Sequence, residues 1–149
     1  MKTGVFVFDV MTKKPIAVYK DENLADCANL MEKKDVNSLI IKNENNKVLG
    51  IVADEDFIRK AIAKNVDPFK TKVEEIMATE VITIEPDKDL YDAVKLMGDY
   101  NIRQLPVVEN HKLVGIITVK DIIKVEPAIF EILSGKIRLK TGDKPDLVY

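Results

Sequence analysis

The chain has no tryptophan, one cysteine, one histidine and two serines in 149 residues. The single thiol, Cys27, excludes an intramolecular disulfide and any zinc site built from several cysteines, and it fits a reducing compartment. His111 stands alone in a polar turn, ENHK, where it reads as a solvated loop residue rather than part of a metal-ligating cluster. Neither Ser38 nor Ser134 lies in a G-x-S-x-G setting, and no G-x-x-x-x-G-K-[ST] phosphate loop occurs. Catalysis by this chain alone is therefore not expected. No apolar run has the length of a membrane span, and Asp9 interrupts the opening MKTGVFVFDVMTKKP too soon for a signal peptide or anchor. A soluble, cytoplasmic protein is expected. A one-sided charge is missing too: 23 Lys and Arg against 25 Asp and Glu give a net charge of −2. Nothing in that balance pulls the molecule toward nucleic acid.

What the chain does contain is one pattern written twice. With Met11 placed on Met77, Ile16 falls on Ile82, Asp21 on Asp87, Leu24 on Leu90, Asp26 on Asp92, Leu30 on Leu96, Met31 on Met97 and Leu39 on Leu105. After a one-residue deletion in a turn, Gly50 meets Gly115, Ile51 meets Ile116, Asp56 meets Asp121 and Ile58 meets Ile123. The matches fall mainly on positions that face a core, so a structural unit has been duplicated.

Each copy begins with a short β-branched segment, PIAVY or VITIE, and an acidic turn where Asp21 or Asp87 is expected to cap a helix. The helices LADCANLMEK and LYDAVKLMGD keep apolar residues at i, i+3, i+4 and i+7. Cys27, Met31 and Met97 belong to that buried face. NSLIIKNENNKVLGIVA and RQLPVVENHKLVGIIT each hold two apolar runs around a polar turn, the signature of a hairpin. A closing helix follows, DEDFIRKAIAK or VKDIIKVEP. The expected class is α+β, with β-α-β-β-α repeats at 8–64 and 74–127, a linker at 65–73, and a helical turn and extended tail over 128–149. In that tail Lys136, Arg138 and Lys140 alternate with aliphatic residues along KIRLK, a pattern that suits a solvated edge as well as a nucleic-acid contact.

The segments GIITVKDI, Gly115–Ile122, and GIVADEDF, Gly50–Phe57, mark where each repeat's last strand enters its closing helix. Thr118 and Asp121 have the spacing of a capping box, in which each side chain satisfies the other residue's backbone N–H. The same geometry presents a hydroxyl and a two-oxygen acceptor at a helix start, suited to the vicinal hydroxyls of a ribose. The two readings are compatible.

The ordered repeat, with LPVV followed by GIITVKDI, resembles a tandem pair of CBS domains, often called a Bateman module. The resemblance covers about 10–125. It implies two repeats packed through their sheets about a pseudo-twofold axis, with clefts that hold adenosine-containing ligands: AMP, ADP, ATP, S-adenosylmethionine or NAD. Such a ligand is regulatory rather than a cofactor, and no catalysis is implied. For one cleft the resemblance implies ribose binding by Asp121 beside Thr118, with Lys120 facing phosphate. Thr12, Ile16, Ala17, Val36 and Asn37 come from the first repeat. For the other it implies Asp56 with Ile82, Thr83, Ile102 and Arg103. There Ala53 removes the hydroxyl, and Asp54 and Glu55 add charge that opposes a phosphate, so a weaker or empty site is expected. The resemblance further implies a homodimer formed through the closing helices and an effector protein as partner. Two alternatives remain: an interaction module with vestigial clefts, and, less in keeping with the charge, a nucleic-acid-associated regulator.

Overall fold

The first repeat's apolar spacing produces its elements in the order foreseen, and the second repeat's does so but for its first strand. The structure is a computed structural model that describes residues 2–128, so the expected tail beyond Ala128 lies outside the described residues. A short α1 (Val7–Val10) comes first. The first repeat then gives β1 (Ala17–Tyr19), α2 (Leu24–Lys34), β2 (Ser38–Lys42), β3 (Val48–Ala53) and α3 (Asp54–Asp56). After a 3-10 turn at Val73–Glu75 the second repeat gives α4 (Leu90–Tyr100), β4 (Gln104–Glu109), β5 (Lys112–Thr118) and α5 (Val119–Val125). The class is α+β. Both long helices stop on a left-handed residue, Asp35 or Asn101, side chains that tolerate this backbone better than most.

In the first sheet β1 runs parallel to β2, and β2 antiparallel to β3. The second sheet has only β4 and β5. VITIE, expected as a strand, is reduced to one parallel bridge between Ile84 and Val107. A proline explains the loss. In the first repeat the Ile40 N–H donates to the Ile16 carbonyl at 3.3 Å. The residue in Ile40's place is Pro106, which has no N–H to give, so pairing begins only at Ile84.

The helix starts also differ from expectation. Asn23 and Asp89 cap the helices, two residues beyond Asp21 and Asp87. The closing helix of the first repeat widens after Asp56 into a π turn over Phe57–Ile62, where the Ala63 N–H donates to the Ile58 carbonyl five residues back.

The chain divides into two compact units, and the division does not follow chain order. One contains residues 2–14, 82–109 and 114–128; the other contains 15–81 and 110–113. Each repeat is thus completed by the segment that precedes the other repeat in sequence. In the unit of the second repeat, Leu90 N–H donates to Val5 O (2.8 Å) and Val7 N–H to Lys88 O (2.9 Å). In the other, Leu24 N–H donates to Thr71 O (3.1 Å) and Val73 N–H to Glu22 O (2.8 Å). Thr12 bridges Ile116 in the first, and Ala78 bridges Ile51 in the second. The repeat therefore extends back to Val5 and Thr71. Side chains gave no sign of this, because backbone bonds place little demand on residue type.

Each unit has its own core. Leu90, Ala93, Val94 and Met97 of α4 pack with Val7, Met11, Leu105, Val107, Ile117 and Ile122. Leu24, Cys27 and Met31 of α2 pack with Leu39, Ile41, Val52, Ala61, Val73 and Ile76. At about 1.5–3 kcal/mol for each large apolar side chain removed from water, these clusters hold the units together. Burial pushes the Cys27 thiol up to about 12, aided by the nearby Glu22 and Asp26 carboxylates. Native protein at neutral pH should accordingly resist a thiol reagent at Cys27, and one thiol should titrate on unfolding.

Asp89 fastens the N-terminal segment. Its carboxylate accepts the Thr3 N–H (3.0 Å), Thr3 hydroxyl (2.9 Å), Gly4 N–H (2.9 Å) and Tyr91 N–H (2.8 Å). Burial alone would raise its pKa, but these hydrogen bonds outweigh it and hold the carboxyl at about 2, against an ordinary 3.8. A depressed carboxyl stabilises the fold above its unfolded pKa, and that contribution disappears as pH falls through the folded value. Stability measured between 3.8 and about 2 should therefore drop more steeply for the natural chain than for Asp89→Asn.

Candidate functional site

β5 alternates buried Leu113, Gly115 and Ile117 with half-buried residues, and it ends in extended conformation at Thr118. Helix α5 starts there because Thr118 and Asp121 satisfy each other. The Asp121 N–H donates to Thr118 Oγ1 at 3.2 Å; the Thr118 N–H and hydroxyl both donate to Asp121 Oδ2 at 3.0 Å. The capping reading is correct for this one oxygen. Asp121 Oδ1 accepts no hydrogen bond among the described residues, and the side chain is half-buried. The cap thus fixes the carboxylate and leaves its second oxygen available to an outside donor.

The equivalent carboxylate is fully engaged. Asp56 Oδ2 accepts the Ala53 N–H at 2.9 Å, and Asp56 Oδ1 lies 3.0 Å from Lys60 Nζ. Lys60 Nζ also donates to the Ile76 carbonyl at 3.1 Å, which ties the pair to the segment before the second repeat. Ala53 provides no hydroxyl to complete the box. Lys60 is absent from the residues that the sequence pattern singles out, although the i, i+4 spacing Asp56–Lys60 was visible. Its repeat counterpart, Val125, carries no charge, so α5 offers Asp121 no cation at that spacing.

Thr12, Thr118, Lys120 and Asp121 share one unit, whereas Ile16, Ala17, Val36 and Asn37 belong to the other. Thr12 exchanges two backbone hydrogen bonds with Ile116, two residues before Thr118 on β5, and its side chain is exposed. Lys120 is exposed. Ile16 and Val36 pack half-buried against their unit's core, and Ala17 pairs with Ile40. Asn37 is exposed and has no need of a buried partner; its carbonyl accepts the Asp54 N–H at 3.0 Å. The same bond recurs as Val119 N–H to the Arg103 carbonyl, also 3.0 Å. Within its unit, Arg103 is therefore beside the Asp121 turn, and Asn37 is beside the Asp56 turn. Ile82 and Ile102 pack against the second-repeat core, and Thr83 is exposed.

A cleft of about 500 Å³ beside α4 is lined by Thr83, Lys88, Asp92, Lys95 and Tyr100 among others, and by no residue of the Asp121 turn. Its mixed charges select no ligand class. Among the described residues no three His, Cys, Asp or Glu side chains are grouped to hold a metal, and no helix is long and apolar enough to cross a membrane.

The family model for the CBS domain matches residues 7–63 and again 73–128. Protein MK0525 of Methanopyrus kandleri is 34% identical over 131 residues, 87% of this chain and 64% of that protein. The chain thus spans less than two thirds of this relative's length. L-aspartate semialdehyde sulfurtransferase of Methanocaldococcus jannaschii is 36% identical over 124 residues, 82% of this chain but only 23% of the enzyme. Among solved structures, the CBS domain pair of protein MJ0100, in complex with 5′-methylthioadenosine and S-adenosyl-L-methionine, is 34% identical with a TM-score of 0.74. That match covers 83% of this chain and 97% of the pair.

Proposed function

We propose a function from one settled premise: this chain belongs to the CBS domain family. It is a regulatory module whose Asp121 turn binds an adenosine-containing ligand, AMP, ADP, ATP, NAD or a sulfonium or thioether relative, and it signals through a protein partner. The observation that carries this reading is a carboxylate fixed by its own cap whose Oδ1 accepts no hydrogen bond among the described residues. A fixed anionic acceptor pays little ordering entropy when it takes a ribose hydroxyl, and its hydrogen bonds are charge-assisted. Thr118 completes the turn, while Lys120, Thr12 and Arg103 supply donors from the same unit. The pair structure bound to methylthioadenosine and S-adenosylmethionine makes these two the first ligands to try.

Asp56 takes a structural role in this proposal, because Lys60 already holds the oxygen that a sugar would need. Signalling calls for a second chain. Ile58 and Ile62, 60% and 75% exposed on the π turn, offer apolar surface for it, including a second copy of this chain. The small share of the sulfurtransferase that matches supports a module appended to function rather than performing chemistry.

Calorimetric titration with AMP, ATP, NAD, methylthioadenosine and S-adenosylmethionine tests the reading. Saturable binding of at least one is expected; silence toward all five would overturn it.

A further inference from the structure

In the first-repeat unit the Lys60 ammonium spans two acceptors, Asp56 Oδ1 at 3.0 Å and the Ile76 carbonyl at 3.1 Å. Both acceptors have counterparts in the second-repeat unit: Asp121 for Asp56, and Val10 for Ile76. Backbone pairing supports the second match as well as sequence does. Ala78, two residues after Ile76, exchanges two hydrogen bonds with Ile51; Thr12, two residues after Val10, exchanges two with Ile116. Helix α1, which ends at Val10, packs against α5, which carries Asp121. Among the described residues neither Asp121 Oδ1 nor the Val10 carbonyl accepts a hydrogen bond. Val125 stands where Lys60 does, 48% exposed, and neither Lys120 nor Lys124 of α5 forms an ion pair with Asp121.

We propose that the residue four places after the motif aspartate decides whether its turn can take a ligand, an inference that rests on the binding role given to the Asp121 turn. Lys60 is a built-in occupant. It lies on the same helix as Asp56 at the i, i+4 spacing, so it meets the carboxylate without the translational loss that a free molecule incurs. Val125 leaves the matching pair, Asp121 Oδ1 and the Val10 carbonyl, to a donor from outside. The Val10 carbonyl is thereby a second contact for the ligand. Two acceptors, one of them anionic, favour a hydroxyl or amino group and repel phosphate, so the seat takes the sugar or amino end of a nucleotide.

Val125→Lys in the full chain tests this in two ways. Its crystal structure should show the introduced ammonium between Asp121 Oδ1 and the Val10 carbonyl. An ammonium directed into solvent would overturn the proposal, whether or not any nucleoside binds. Calorimetric titration with methylthioadenosine, and with each of the other four compounds that the natural chain binds, should show affinity lowered roughly tenfold or more, as for loss of a charged acceptor. Val125→Met, of similar length without the charge, should lose far less. Unchanged affinity in Val125→Lys would overturn the proposal, and so would equal losses in both variants, which would assign the effect to bulk. Silence of the natural chain toward all five would remove the binding role of the turn, while the seat itself would still stand or fall by the position of the ammonium.

Discussion

Gly50→Ala and Gly115→Ala should each lower stability by about 1–3 kcal/mol, the usual cost of forcing a methyl group into a filled site. A Cβ at Gly50 would stand 2.5 Å from Met77 Sδ and 2.8 Å from the Ala78 carbonyl; at Gly115 it would stand 2.7 Å from Met11 Sδ and 2.8 Å from the Thr12 carbonyl. The methionine side chains can swing aside. The carbonyls cannot, because Ala78 is bonded to Ile51 in both directions, at 2.9 and 3.0 Å, and Thr12 likewise to Ile116, at 2.8 and 3.0 Å. Shortening Met77 to Ala should therefore fail to rescue Gly50→Ala. The midpoint of denaturant unfolding checks both points, and an unchanged midpoint in Gly50→Ala would contradict the packing described. The glycine recurs in both repeats because each closing strand must let the segment before the other repeat approach to backbone distance.

The largest functional effect is expected at the two motif aspartates, and it should be unequal. A charged acceptor contributes about 1.5–3 kcal/mol per hydrogen bond, so Asp121→Ala should weaken nucleoside binding roughly ten- to hundredfold. Asp56→Ala should leave affinity near its natural value and cost stability instead, since it removes the acceptor of the Ala53 N–H and leaves Lys60 Nζ with the Ile76 carbonyl alone. Asp121→Ala also removes a helix cap worth about 0.5–2 kcal/mol, so its fold must be checked by melting. Asp121→Asn, of nearly the same shape, separates the cap from the charge. Equal losses of affinity in the Asp56 and Asp121 variants would contradict the asymmetry.

The repeat, its helices and its hairpins were legible in the sequence because apolar period and matched side chains are what a buried face requires. Met11, Met77 and the two glycines were visible as matches, but not as contacts, since nothing in spacing says that a segment crosses to the other repeat. The VITIE strand was misjudged for a local reason: Pro106 withdraws one N–H from an otherwise well-patterned pair. The caps shifted from Asp21 and Asp87 to Asn23 and Asp89 because several polar residues compete in each turn, and geometry chooses among them. At the site, Thr118 and Asp121 were recognisable by type and spacing. The difference between Asp121 and Asp56 lay partly in Ala53, which was read, and partly in Lys60, which was not. An i, i+4 ion pair on a helix looks like ordinary surface until it is seen to occupy the oxygen that a ligand would use.

Whether Asp121 grips a ribose can be read from a double-mutant cycle. Affinities of methylthioadenosine and of its analogue lacking the 2′ and 3′ hydroxyls would be measured on the natural chain and on Asp121→Asn. Removing the hydroxyls should weaken binding strongly in the natural chain and hardly at all in the variant. The same loss in both proteins would mean that the sugar is held elsewhere, and that the free oxygen of Asp121 plays no part in recognition.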